Sequence, residues 1–82
     1  MDQLRAIRYF GKVAETGSFT KAARAFDVPP SSLSRRIADL EKSLGATLLK
    51  RTTRTVKLTE VGRIYYNDIQ SILNQLEQSH ET

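Results

Sequence analysis

The chain has no cysteine and one histidine, His80, close to its C-terminus. Without thiols there is no disulfide framework, and a single histidine cannot complete a zinc finger. Long apolar runs are missing as well. The longest is far too short to cross a bilayer and none opens the chain, so neither a signal peptide nor a membrane segment is expected, and the expected location is the cytoplasm. There is no internal repeat, low-complexity tract or Gly-rich phosphate loop, and no nucleophile with its base or metal cluster. The expectation is a protein that is not an enzyme and carries no cofactor.

Acidic residues are scarce over most of the length. The 82 residues hold 13 Lys plus Arg against 9 Asp plus Glu, a net +4. Residues 1–58 carry 12 basic and 5 acidic side chains, a net +7, whereas residues 59–82 carry one basic and four acidic, a net −3. A basic body with an acidic tail points to a polyanionic partner for the body; a solvated basic surface is the plainer alternative. The length suits one small domain with a modest core.

What the chain does have is concentrated between Gly17 and Gly45, GSFTKAARAFDVPPSSLSRRIADLEKSLG. Ser18 is a good N-cap for a short helix whose apolar stripe is Phe19, Ala22, Ala23 and Phe26. Pro29 pushes Val28 toward an extended conformation, so this helix stops near Phe26. Pro30 can open a second helix, because a first-turn residue needs no N–H and its φ is already helical. That helix runs to about Leu44 and is stopped by Gly45. At about 100° per residue Leu33, Ile37, Leu40 and Leu44 share one face, while Ser31, Arg35, Ala38 and Lys42 point the other way. Two short helices around a tight turn, the second showing small polar and basic side chains, have the form of a helix-turn-helix whose second helix enters a major groove. An ordinary helical hairpin with a solvated outer face fits the same stretch.

Before this motif, Leu4, Ile7, Phe10, Val13 and Ala14 predict an amphipathic helix from Asp2 to about Thr16, ended by Gly17. Arg5, Arg8 and Lys12 lie off its stripe and read as solvated. After Gly45 the period changes. Leu48 to Arg51 and Val56 to Leu58 read as a short hairpin with Val56 and Leu58 inward and a Thr/Arg tip outward. A basic hairpin beside a helix-turn-helix is a wing, and a projecting arginine there can enter a narrow minor groove. Thr59 caps a last helix of about twenty residues, on which Tyr65, Ile69, Ile72 and Leu76 follow a coiled-coil seam flanked by Val61, Ile64 and Leu73. So short a chain leaves part of that seam uncovered: a second copy, a downstream domain or fraying of the helix would each account for it, and a second copy is the better fit.

Two functions compete. A sequence-specific double-stranded DNA binder needs groups suited to base edges and phosphates on the outward face of the second motif helix, and Ser31, Ser34, Arg35 and Lys42 supply them. A winged-helix protein-interaction adaptor would show aromatic or aliphatic anchors there instead. DNA is the better fit.

Through GSFTKAA, LSRRIADLEKSLGATLLKR and LTEVG, the chain resembles the N-terminal DNA-binding domain of LysR-type transcriptional regulators over nearly its whole length. VPPSSLSRRI with RTTR resembles a branch in which Pro-Pro opens the recognition helix. The resemblance implies a mostly α fold: a winged helix-turn-helix over residues 1–58, with the motif at about 18–37, the recognition helix at about 30–44 and the wing at about 48–58. A linker and dimerisation helix follows over 59–82, with Tyr65, Ile69, Ile72 and Leu76 as its contacts. An inverted-repeat operator is implied, and an effector ligand only in a C-terminal domain that lies beyond this chain, which reads as a fragment. Base-reading positions fall on Pro30, Ser31, Ser34 and Arg35, and the minor-groove arginine on Arg54. Ser18, Thr20, Lys21, Ser32, Arg36, Lys42, Arg51 and Thr53 become candidates for phosphate contacts. Many relatives carry glutamine where this chain has Pro30, so a bidentate reader of adenine is absent there and readout leans on Arg35.

Overall fold

The computed structural model describes residues 3–52 and 56–81, with four helices and one two-stranded antiparallel hairpin among them. Helix α1 spans Gln3–Thr16. It buries Ala6, Tyr9, Phe10 and Val13. Leu4, expected on that stripe, is 45% exposed. Residues three apart drift by about 60° at 100° per step, so the series Leu4, Ile7, Phe10 winds out of the core within two steps.

Helix α2, Phe19–Phe26, begins at Ser18, whose hydroxyl oxygen accepts the Lys21 N–H at 3.2 Å. It ends at Phe26, where expected, but by a different device. Asp27 adopts a left-handed conformation, φ 56° and ψ 47°. It donates to the Arg24 carbonyl while Val28 donates to Ala23, so the chain turns before the prolines are reached. Asparagine and aspartate tolerate that region better than most residues, which is why no glycine is needed here. Helix α3, Pro30–Leu44, then starts directly on Pro30, with extended Pro29 before it, and ends at left-handed Gly45. Leu33, Ile37 and Leu40 are buried. Leu44 shares their face but is 42% exposed, because the last turn of α3 outruns what covers it.

Strands β1, Leu49–Arg51, and β2, Val56–Leu58, pair Leu49 with Leu58, Lys50 with Lys57 and Arg51 with Val56. Leu48 and Leu49 are buried, and Val56 and Leu58 rest half-buried on the same core. Helix α4, Glu60–Glu81, follows Thr59, whose hydroxyl oxygen accepts the Gly62 N–H at 2.9 Å. It lies across α1. The Phe10 ring sits 5.7 Å from Tyr65 and 6.4 Å from Tyr66, centroid to centroid.

This packing corrects the seam expected on α4. Ile69 is only 3% exposed and belongs to the core of its own domain, and Tyr65 is half-buried against Phe10. Ile69 cannot be the centre of a contact with a second copy, and Tyr65 has only part of its side chain open to one. Their heptad-like steps put both in the seam, and it is α1 that covers this part of it. Ile72, 54% exposed, together with Val61 and Ile64 forms the open apolar edge. The Leu76 side chain lies outside the described residues.

Candidate nucleic-acid interface

The orientation of α3 follows from its buried face. With Leu33, Ile37 and Leu40 locked inward, the opposite side must face solvent, and Ser31, Arg35, Ala38 and Lys42 are all exposed. Arg35 is exposed on this face, with the small residues Ser31 and Ala38 one turn to either side. Ser31, Ser32, Arg35 and Arg36 line one open depression of about 410 Å³. Arg36 and Ser34 are half-buried; Pro30 is exposed and presents an apolar ring without an N–H. The helix N-terminus adds its partial positive charge at the same place. Such a surface can donate hydrogen bonds to base edges through Arg35 and to phosphates through its neighbours.

Lys42 is not part of this cluster. It stands eleven residues beyond Ser31, about 16 Å along the axis at 1.5 Å per residue, beside Gly45, Ala46 and Thr47. Asp39 joins the depression without any sequence signal for a role. A carboxylate there repels phosphate, and among bases it suits only a donor such as the cytosine amino group.

A second group gathers at the start of α2. Thr20 and Lys21 are exposed on its first turn, and the Arg51 guanidinium of β1 lies over the Phe19 ring, 4.3 Å from the centroid. Stacking holds the planar fork while leaving its N–H edges available to an anion. Sequence spacing gives no hint of this pairing, because the partners are 32 positions apart and Phe19 reads as a core residue. Ser18 is engaged as the helix cap. Thr53 and Arg54 lie outside the described residues.

Elsewhere, a depression of about 430 Å³ is lined by Leu4, Arg5, Arg8, Tyr9, Phe26 and Val28, where the Tyr9 and Phe26 rings meet edge to face at 4.8 Å. Among the described residues no group of three or more His, Cys, Asp or Glu could hold a metal, and no helix is long and apolar enough to cross a membrane.

Residues 4–63 match the family model of the bacterial regulatory helix-turn-helix protein, lysR family. The chain belongs to that family. It is 45% identical over 82 residues to an HTH-type transcriptional repressor of Pseudomonas aeruginosa (strain UCBPP-PA14), covering 100% of this chain and 26% of that protein. It is 43% identical over 81 residues to the HTH-type transcriptional activator AaeR of Escherichia coli (strain K12), covering 99% of this chain and 26% of AaeR. The chain thus spans about a quarter of the length of these curated relatives. Among solved structures, the DNA-binding domain of BenM in complex with catB site 1 DNA superposes with a TM-score of 0.91 at 41% identity, over 95% of this chain and 87% of that one. The LysR-type winged helix-turn-helix expected from the sequence is therefore the fold observed, and the chain is a LysR-type DNA-binding domain.

Proposed function

We propose that this chain reads specific double-stranded DNA for a transcriptional regulator. Its α3 lies in the major groove with Arg35 as the main base reader, and Pro30, Ser31 and Ser34 at neighbouring base edges. The observation that carries this reading is the placement of Arg35, exposed at the middle of the outward face of a helix that buries Leu33, Ile37 and Leu40 on its inner face. Thr20, Lys21, Ser32, Arg36 and Arg51 hold phosphates around it, and Lys42 meets the backbone farther along. Arg54, in the stretch joining the strands, reads minor-groove width, with Thr53 beside it on the backbone.

The unit acts as a homodimer through α4 on an inverted repeat, with half-sites about one or two helical turns apart. The open apolar edge of α4 formed by Val61, Ile64 and Ile72 favours this. The setting is the cytoplasm, no catalytic step is assigned, and effector control belongs to further sequence of the kind that the longer relatives carry. An adaptor role is disfavoured because α3 shows no exposed aromatic on its outward face.

Selection of bound fragments from random duplex DNA tests the reading. It should return one inverted-repeat motif, bound roughly a thousandfold or more tighter than unselected DNA. Recovery of unrelated sequences with equal affinity would reject it.

A further inference from the structure

Leu48 is tied at its two ends to two different helices. Its N–H donates to a Glu41 carboxylate oxygen at 2.7 Å, and the same oxygen accepts the Leu49 N–H at 3.2 Å. Glu41 is on α3, so this end of Leu48 is pinned to the base-reading helix. Its carbonyl oxygen accepts the Thr59 N–H at 3.0 Å and the Thr59 hydroxyl at 3.2 Å, and that hydroxyl also donates to the Thr47 carbonyl at 2.6 Å. Thr59 caps α4. The side chain of Leu48 is completely buried. Gly62 presses its backbone so close to the same carbonyl that a Cβ there would stand 2.0 Å from the oxygen. Real Cβ atoms essentially never come within 3.0 Å.

We propose that Glu41, Leu48, Thr59 and Gly62 form a rigid joint that fixes the angle between α3 and α4, and that this angle sets which half-site spacing the dimer accepts. The four are positioning residues: none needs to touch DNA. The proposal rests on the dimeric reading given above. The rest of the α3 to α4 path is short strand and core side chains, whereas this peptide carries hydrogen bonds to both helices. Glycine at position 62 is required by the close approach, since the helical backbone there suits any residue.

The leverage is sufficient. To admit a Cβ at position 62, the start of α4 must retreat by on the order of 1 Å while Ile69, about 10 Å along at 1.5 Å per residue, stays packed in the core; the tilt is about 6°. A two-fold axis applies that tilt twice. Acting on arms of roughly 17 Å, half the 34–36 Å between half-sites one turn apart, it changes their separation by about 3–4 Å, close to one base-pair step.

The test uses the 82-residue chain and duplexes carrying the selected half-site, either alone or as inverted repeats whose spacing is stepped by single base pairs. Wild type should show a sharp optimum. Gly62→Ala should bind the single half-site as wild type does and remain dimeric by sedimentation, yet move its optimum by about one base pair. Glu41→Ala, which frees one side of the joint without steric conflict, should broaden the optimum and leave half-site affinity unchanged; it serves alone if Gly62→Ala fails to fold. If the folded variants keep the wild-type optimum and width, the joint does not set spacing and the proposal is overturned while the dimer stands. A wild type that is dimeric and indifferent to spacing overturns it too. A monomeric wild type without any spacing preference overturns the dimeric reading and this proposal with it.

Discussion

The Arg51 guanidinium lies over the Phe19 ring at 4.3 Å, joining the first strand of the wing to the first turn of α2. An exposed stack of this kind contributes about 0.5–1 kcal/mol and holds the arginine where a phosphate approaching the α2 N-terminus would meet it. Arg51→Ala should therefore weaken binding to every duplex alike and lower the slope of log K against log salt by about one. Titrations at several salt concentrations check this. A changed base preference with an unchanged slope would mean that Arg51 is not a phosphate contact.

Unlike Gly62, Gly11 has room for a side chain. A Cβ at Gly11 would sit 3.8 Å from the Ile69 Cδ1 atom, an ordinary contact. Gly11→Ala should then gain the helix-propensity difference, roughly 0.5–1 kcal/mol, which for a domain of this size is a rise of several degrees in Tm, about 4–8 °C per kcal/mol. Calorimetry that finds a lower Tm would show that α1 and α4 are packed more tightly than described.

Ile69 and Ile72 are three residues apart on α4, and they should respond differently to a charge. Ile72→Asp should leave the domain folded, because Ile72 is exposed, and should make the proposed dimer monomeric. Ile69→Asp buries a carboxylate among Gly11 and the α1 core and should unfold the chain, since an unpaired buried charge costs several kcal/mol. Circular dichroism and sedimentation separate the two. An Ile72→Asp protein that stays dimeric moves the interface elsewhere.

Burial pushes the Tyr65 phenol above its ordinary 10.0. The folded state therefore favours the neutral phenol, and the unfolded chain ionises first. This contribution is fully present below the unfolded value and is lost as pH rises from there through the raised folded value. Denaturant titrations at about pH 9 and about pH 11 should show wild type losing more stability than Tyr65→Phe. Equal losses would remove Tyr65 from the alkaline response.

Much of this architecture is visible in local signals. Ser18 and Thr59 cap as their chemistry predicts, Gly45 ends α3 in a left-handed turn, and Pro30 starts it. The outward face of α3 follows from periodicity alone. What is not visible depends on residues distant in sequence. Glu41 reaches two N–H groups seven and eight positions on, and Arg51 finds Phe19. Ile69 falls on the same seam series as Ile72, and which part of that series α1 covers cannot be read from α4. Asp27 is a different case: its left-handed turn is carried by a residue with a weak preference for it, so the adjacent prolines, a stronger signal, drew the boundary.

The proposed function stands or falls on Arg35 reading a base. Its most direct test is the affinity of wild type and Arg35→Ala for the selected duplex and for each single-base variant of it. The mutant should lose about 1–3 kcal/mol on the selected duplex and become indifferent at one base position per half-site, keeping its preferences elsewhere. An equal loss on every duplex, with all preferences intact, would make Arg35 a phosphate contact and contradict the account.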